Sequence, residues 1–169
     1  IPARVDDRDP CWDASYVTQC KARWRAETDA ERPGIVPICD ALRATLPSEA
    51  LIYSDMTQFA YVAKEIWDMA APSLWHHPYG FGTLGYALPA AIGGKIGAGD
   101  KPVVAIAGDY GFQYTLQELG VAVELELSLP IILIAQHLLD RGEWPDDWKM
   151  HWLGTVFKKG PVQRAGNHR

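Results

Sequence analysis

The sequence predicts an α/β fold, an open and mostly parallel sheet with helices on both faces. Residues Val103 to Ala107 form a short, wholly apolar run rich in β-branched side chains, which is typical of a buried strand. Apolar residues follow it at helical spacing: Leu116, Leu119, Val123 and Leu127. After Pro130, the apolar run from Ile131 to Ile134 predicts a second strand. A strand–helix–strand unit of this kind joins parallel strands through a right-handed crossover.

The N-terminal part of the chain predicts two helices. Residues 1–12 are polar and predict a surface linker. Asp13 is placed to cap a first helix, in which we expect Trp24 to pack against the domain. A second helix, ended by Pro47, carries its apolar residues on one face: Ile35, Ile38, Leu42 and Leu46.

The middle of the chain predicts two strands around a helix. A strand from Ala50 to Tyr53 leads through a polar turn into a helix from Phe59 to Met69. We expect four side chains of that helix to face inward: Tyr61, Val62, Ile66 and Met69. The stretch from Ser73 to Pro78 predicts a short edge strand. Its adjacent histidines should point to opposite faces, which argues against a shared metal ion.

Glycine and alanine dominate the segment from Gly80 to Gly99, which predicts a helix with very small side chains. Such a helix allows another backbone or a ligand to approach closely. A tightly packed core helix is an alternative interpretation, and the two are compatible.

Composition limits the class of protein. The chain has 169 residues, 48% of them hydrophobic and 22% charged, with a net charge of −5. This size suits one domain with a good core, and the negative charge argues against a nucleic-acid partner. No run is long and apolar enough to predict a membrane span. Three cysteines, not spaced as metal pairs, predict reduced thiols and a cytoplasmic location.

The first apolar strand ends at Gly108-Asp109-Tyr110-Gly111. Ligands of parallel sheets bind beyond the carboxyl ends of strands, and glycines there let backbone N–H groups approach a phosphate. Asp109 would repel that phosphate unless a cation lies between them, so the pattern predicts a hard divalent metal such as Mg²⁺. The alternative is that Asp109 is an ordinary helix N-cap.

Two motifs in this order resemble those of a known family. One reads Gly-Asp-Tyr-Gly-Phe-Gln-Tyr-Thr-Leu-Gln-Glu-Leu from Gly108, and the other reads Gly-Thr-Leu-Gly-Tyr-Ala-Leu-Pro-Ala-Ala-Ile-Gly from Gly82. Together they resemble the C-terminal cofactor domain of thiamine-diphosphate-dependent enzymes, in the acetolactate synthase and 2-oxoacid decarboxylase group. We therefore expect residues 13–138 to form a thiamine diphosphate domain, with Mg²⁺ as its metal.

The resemblance assigns roles to individual residues. Gln58 takes the position of a glutamine that contacts the cofactor diphosphate, although a polar residue at a helix start is an equal alternative. The backbone of Gly82 would accept from the 4′-amino group of the cofactor. Leu84 would be the apolar wedge that keeps the cofactor bent, and Thr83 lies between them. The diphosphate would bind at four residues: Gly108, Asp109, Tyr110 and Gly111.

The sequence departs from the family pattern at two places. The family commonly has Gly-Asp-Gly, and here the third position is Tyr110, which is tolerable if its φ is negative but crowds the phosphate site. Gln136 falls where the family has a metal-ligating asparagine, and the carbonyl of Leu138 would be another ligand. The side chain of Gln136 is longer than that of asparagine and therefore suits the strict octahedral geometry of Mg²⁺ poorly. Residues 139–169 predict a divergent, disordered tail, arising from real divergence or from an altered reading frame near Ile134.

Three functional hypotheses follow. The first is the cofactor-binding portion of a thiamine enzyme acting on 2-oxoacids, inactive alone because the activating glutamate of the family sits on a separate pyrimidine-binding domain. No catalytic residue is assigned to this chain, and we expect it to pair with that domain or to form a homo-oligomer. The second is a degenerate fragment that keeps the fold and serves at most as an assembly module. The third, a Rossmann-type nucleotide binder, lacks the Gly-x-Gly-x-x-Gly motif.

Overall fold

The computed structural model describes residues 13–134, which fold around one four-stranded sheet. The strands are β1 (Leu51–Ser54), β2 (Trp75–His76), β3 (Val103–Gly108) and β4 (Ile131–Ile134). The α-helices are α1 (Ala14–Glu31), α2 (Ile35–Thr45), α3 (Gln58–Ile66), α4 (Ala87–Ala98), α5 (Asp109–Tyr114) and α6 (Leu119–Glu124). The strand order is β2-β1-β3-β4, and every neighbouring pair is parallel. The parallel sheet and the edge position of β2 are confirmed.

Helices cover both faces of this sheet, as predicted. Successive side chains of a strand point to opposite faces. On β3, Val104 and Ile106 belong to a core cluster with residues of α2 and α3. Val103 and Ala105 belong to a second cluster with residues of α4 and α6. The wholly apolar sequence of β3 follows from this burial on both sides.

The segment after β3 differs from the single long helix that the spacing predicts. It forms α5, a 3₁₀ turn at Leu116–Glu118 and α6, because Thr115 leaves the helical conformation at φ −129° and ψ 16°. Leu116 and Val123, two of the residues at helical spacing, are 47% and 51% exposed. The small Ala122 takes the buried position instead.

The first helix begins as predicted but packs differently. Asp13 caps α1 by accepting from the backbone N–H of Ser15 at 2.8 Å. Trp24 is 54% exposed, so the expectation that it packs against the domain is wrong. Instead, α1 buries Thr28 and joins its neighbours through ion pairs such as Lys21 with Asp68. Tyr16 and Val17 of α1 are likewise exposed, at 60% and 37%.

Helix α3 is shorter than predicted. It begins at Gln58, capped by Thr57, whose hydroxyl accepts from the N–H of Ala60 at 3.0 Å. It ends at Ile66, which leaves Met69 outside the helix and 36% exposed. The inward prediction is also wrong for Tyr61, which is 39% exposed. The buried positions of α3 are Phe59, Ala60, Val62 and Ala63.

Small residues on α4 let it lie directly against β1. A Cβ added at Gly94 would overlap the ring of Tyr53, which in turn stacks on His76 with 4.5 Å between ring centroids. The same addition at Gly93 would meet no atom within 4 Å. Close packing therefore explains Gly94, whereas Gly93 is free of that constraint.

The two adjacent histidines point to different partners, as the strand geometry predicts. His76 stacks on Tyr53, whereas the ring of His77 is buried and its Nδ1 lies 2.8 Å from the Ser54 hydroxyl. Trp75 donates its indole N–H to the same hydroxyl at 2.8 Å. Among residues 13–134, the Nε2 of His77 has no hydrogen-bond partner.

None of the helices within residues 13–134 combines the length and the apolar character that a bilayer crossing requires.

We expect Gly94→Ala to lower the melting temperature and Gly93→Ala to raise it slightly. The added methyl at position 94 forces Tyr53 or α4 to move, a form of overpacking that costs about 1–3 kcal/mol. At position 93 the methyl meets no neighbour, and alanine improves helix propensity by about 1 kcal/mol. Thermal and urea unfolding of both variants measure the difference. Equal effects at the two positions would contradict the close packing of α4 on β1.

We expect His77 to make the protein less stable as pH falls below about 6.5. Burial, and then the nearby charge of Lys64, lowers the pKa of His77 from its ordinary value of 6.5. The unfolded chain therefore binds this proton more readily than the folded chain does, so the stability contribution is complete above pH 6.5 and is lost as pH falls through the lowered pKa. Urea unfolding from pH 8 to 5 should give a flatter profile for His77→Gln. The His76→Gln variant serves as the control and should keep the wild-type slope.

Candidate functional site

The carboxyl ends of β1, β3 and β4 meet at a cavity of about 290 Å³. Parallel strands end at the same edge of the sheet, which places the segments that follow them side by side. Eleven residues line the cavity: Asp55, Met56, Thr57, Gln58, Tyr61, Leu84, Gly108, Asp109, Tyr110, Gly111 and Ile134. They come from the turn after β1, the first turn of α3, the loop before α4, the junction of β3 with α5, and the end of β4.

Six residues singled out from the sequence line this cavity together: Gln58, Leu84, Gly108, Asp109, Tyr110 and Gly111. Gly82 and Thr83 are not among its lining residues. An added Cβ at Gly82 would lie 3.2 Å from the Cε of the wall residue Met56, and the position favours glycine because its φ is +63°. Gln136 and Leu138 lie outside the described residues, and their expected role as metal ligands stays a prediction.

Asp109 opens α5 as its first residue rather than capping it. The N-cap is Gly108, with φ −82° and ψ 166° and no side-chain hydrogen bond. The N-cap alternative for Asp109 is therefore not what the structure shows, and its side chain lies in the cavity wall instead. Its position at the end of a buried parallel strand leaves the carboxylate available to a ligand.

Tyr110 fits the turn without backbone strain. It is not among the described residues with positive φ, and it occupies the second position of α5. Its side chain is 66% exposed, so the ring lies largely in solvent at the cavity edge. The departure from Gly-Asp-Gly is thus accommodated by the helical conformation of the turn.

Asp55 is a site residue that the sequence reasoning passed over as part of a polar turn. It is 1% exposed and lines the cavity. Its Oδ1 accepts from the N–H of Ala87 at 2.9 Å, and its Oδ2 accepts from the N–H of Gly85 at 3.3 Å. Burial raises the pKa of this carboxyl group, and the backbone donors oppose that rise. An acidic residue directly after an apolar strand was the signal available in the sequence.

The electrostatics of the cavity favour a cation. Among its described lining residues are two carboxylates, Asp55 and Asp109, and no lysine or arginine. Each oxygen of Asp55 accepts from a backbone donor and its side chain is buried, so the partly exposed Asp109 is the more accessible carboxylate for a ligand. Within residues 13–134, no group of three or more His, Cys, Asp or Glu side chains is arranged to hold a metal alone. A metal here would need further oxygen ligands.

Comparisons with known proteins agree with this geometry. The family "Thiamine pyrophosphate enzyme, C-terminal TPP binding domain" matches residues 55–140. A probable 2-ketoarginine decarboxylase of Pseudomonas aeruginosa is 40% identical over 87% of this chain and 26% of its own length. The acetolactate synthase large subunit of Corynebacterium glutamicum is 37% identical over 70% of this chain and 20% of its own. The chain thus spans about a quarter of the length of these relatives.

Solved structures show the same fold. A thiamine-diphosphate-dependent 4-hydroxybenzoylformate decarboxylase from Rhodococcus jostii superposes with a TM-score of 0.54 at 23% identity, over 65% of this chain and 23% of that one. A putative thiamin diphosphate-dependent enzyme from Mycobacterium smegmatis gives a TM-score of 0.52 at 25% identity, over 58% of this chain and 20% of that one. With the family match over residues 55–140, these findings show that the chain belongs to the thiamine pyrophosphate enzymes, as their C-terminal cofactor-binding domain.

Proposed function

We propose that this chain is the diphosphate-binding portion of a thiamine-diphosphate-dependent enzyme that acts on 2-oxoacids. The observation that carries the proposal is the cavity at the carboxyl ends of β1, β3 and β4, whose wall brings Asp109 together with glycine backbone on two sides. That arrangement suits a diphosphate held through a divalent cation. When bound, thiamine diphosphate would supply a nucleophilic thiazolium carbon and an electron sink for decarboxylation.

The cation in this proposal is Mg²⁺, bound by Asp109. The described wall offers a free carboxylate but no basic side chain, so a diphosphate entering alone would be repelled. Mg²⁺ takes oxygen ligands and commonly shares them between protein carboxylates and substrate phosphates. The side chain of Gln136 and the backbone carbonyl of Leu138 are proposed as the remaining protein ligands.

The other wall residues would orient the cofactor. The side-chain amide of Gln58, at the first position of α3, would contact the diphosphate, together with the backbone of Gly108, Tyr110 and Gly111. Leu84 is 41% exposed at the cavity wall, where it would act as the apolar wedge that keeps the cofactor bent. Gly82 and Thr83 precede it in the loop, and the carbonyl of Gly82 would accept from the 4′-amino group.

A second protein surface should cover the mouth of this cavity. Aromatic and apolar side chains are exposed on the two segments that flank it: Tyr79, Phe81 and Leu84 on one, Tyr110, Tyr114 and Leu116 on the other. The two segments touch, since an added Cβ at Gly85 would lie 3.1 Å from Thr115 and 3.3 Å from Tyr114. Exposed apolar surface of this kind marks a protein interface. We infer pairing with a pyrimidine-binding domain or with a second copy that carries one.

The substrate class rests on the relatives. Their names state action on 2-ketoarginine and synthesis of acetolactate, and both reactions start from 2-oxoacids. We therefore propose a 2-oxoacid for the enzyme of which this chain forms a part. The expected cytoplasmic location stays a prediction; of the described cysteines, Cys20 and Cys39 are both free thiols.

The degenerate-fragment hypothesis remains the second candidate. The observation that favours it is the replacement of the ligating asparagine by Gln136, which weakens the metal site. Under this alternative the chain keeps the fold and the exposed apolar surface but does not bind the cofactor. Cofactor binding therefore separates the two hypotheses.

We expect thiamine diphosphate with Mg²⁺ to raise the melting temperature of the wild-type chain, and Asp109→Asn to abolish that rise. Loss of the carboxylate removes the protein ligand of the bridging cation, while the partly exposed side chain contributes little to folding. Scanning fluorimetry and calorimetry measure the effect with cofactor and Mg²⁺ together and with each alone.

Asp100→Asn, at an exposed position after α4, is the matched control and should behave as the wild type. If millimolar cofactor with Mg²⁺ neither raised the melting temperature of the folded wild-type chain nor released or absorbed heat on binding, the cofactor proposal would be wrong. The degenerate-fragment hypothesis would then be the one supported.

We expect the isolated chain to release no carbon dioxide from 2-oxoacids, and a mixture with the pyrimidine-binding domain of a related enzyme to gain activity. The activating glutamate of the family would come from that domain. Substituting Phe81, which is 99% exposed, by Glu should weaken the pairing because it places a charge in an apolar interface. Analytical ultracentrifugation and a decarboxylation assay report pairing and activity separately. If the isolated chain were as active as the mixture, the proposal that the activating glutamate comes from a separate domain would be wrong.

A further inference from the structure

We propose that Asp55 is a positioning residue for the cofactor, a role that the family resemblance does not assign to it. Its buried carboxylate holds two segments in register: the wedge loop, residues 82–86, and the phosphate turn, residues 108–111. The inference rests on the proposed function, since it concerns the alignment of Leu84 with Asp109.

The first observation is the way Asp55 terminates the wedge loop. Helix α4 has Tyr86 at its N-cap position, with no side-chain hydrogen bond to the free backbone donors. Asp55, from the turn after β1, accepts from Ala87 N–H at 2.9 Å and so caps the helix from another segment. Its second oxygen accepts from Gly85 N–H at 3.3 Å, which fixes a turn where Gly85 has φ +84°. A negative charge at a helix N-terminus is also favourable to the helix dipole.

The second observation is the contact with the phosphate turn. Gly111 is buried, and a Cβ added there would overlap Oδ2 of Asp55. The same Cβ would lie 3.3 Å from the backbone N of Gly85, so all three segments meet at one point. A side chain at position 111 would push the turn away from the carboxylate, which gives this glycine a physical reason independent of phosphate binding.

These contacts link the residues that would touch the cofactor. Leu84 directly precedes Gly85, and Asp109 lies two residues before Gly111. Asp55 therefore sets the position of the wedge relative to the metal-binding carboxylate through hydrogen bonds on one side and packing on the other. An asparagine has nearly the same shape but keeps one acceptor and presents an NH₂ group to one of the two N–H donors. The Asp55→Asn change thus tests the second acceptor with little change in volume.

The experiment compares the wild-type chain with Asp55→Asn and the control Asp100→Asn. In Asp55→Asn, hydrogen exchange should speed up at the amide of Gly85 or Ala87 that then faces the NH₂ group, because that buried donor loses its acceptor. The affinity for thiamine diphosphate with Mg²⁺ should fall by about tenfold or more, measured well below the melting temperature of each variant. Exchange in the strands β1 and β3 should stay at the wild-type level.

A double-mutant cycle tests the packing side. Gly111→Ala should weaken cofactor binding by about tenfold in the wild-type background and by less than about threefold in Asp55→Ala, where the carboxylate is gone. The Asp55→Glu variant should also bind the cofactor more weakly than the wild type does, because the longer glutamate side chain moves the carboxylate towards Gly111. Such coupling between positions 55 and 111 is not expected from two independent losses of stability.

The outcomes separate this inference from the proposed function. Wild-type exchange at Gly85 and Ala87 in Asp55→Asn, or additive losses in the cycle, would overturn the positioning role. If Asp55→Asn does not fold, Gly111→Ala must itself speed exchange at those two amides, and unchanged exchange would overturn the inference. If no chain binds thiamine diphosphate but Asp55→Asn still loosens the wedge loop, the cofactor proposal fails and the positioning of the two segments stands.

Discussion

A buried carboxylate at the end of β1 is the contact on which the geometry of the site depends. Asp55 is 1% exposed, and its two oxygens accept from backbone donors of the loop that leads into α4. A buried charge is costly unless hydrogen bonds satisfy it, and here the donors are the otherwise free N–H groups at a helix start. The same carboxylate abuts Gly111 across the cavity wall. One side chain thus ties together the turns after β1 and β3 and the loop before α4.

The sheet makes that convergence possible. Strands β1, β3 and β4 are parallel, so the segments that leave them all emerge at one edge. Two apolar clusters, one on each face, hold the strands from both sides. The polar residues of the site lie beyond this core, at the carboxyl ends of the strands. The wall therefore combines a rigid base with short turns whose shape is set by glycines.

The charge of the wall explains why a metal belongs in the functional proposal. Two carboxylates and no basic side chain line the described cavity, so an anionic cofactor requires a cation to bind. The oxygens of Asp55 accept from backbone donors, whereas Asp109 lies in the cavity wall, where a ligand can reach its carboxylate. In the proposed function the two acids therefore have different roles: Asp55 organises the wall and Asp109 would bind the metal. This division depends on which backbone amides lie nearby rather than on residue type.

The sequence by itself determined the sheet, the helices on both faces and most of the cavity wall. Apolar runs such as Val103–Ala107 have few alternatives to a buried strand, and the Gly-Asp-Tyr-Gly turn has a distinctive local signature. Local pattern also determined the Asp13 cap, because a cap depends on neighbouring residues only.

Only the tertiary structure decided which side chains are buried and what the polar turn residues do. Trp24 and Val123 lie on helical patterns but are 54% and 51% exposed, and Ala122 is buried in place of Val123. Asp55 resembles any acidic turn residue until the loop before α4, some thirty positions later, supplies its donors. The physical reason is range: secondary structure follows from contacts within a few residues, whereas burial and hydrogen-bond partners depend on segments that are distant in sequence and meet only in the folded chain.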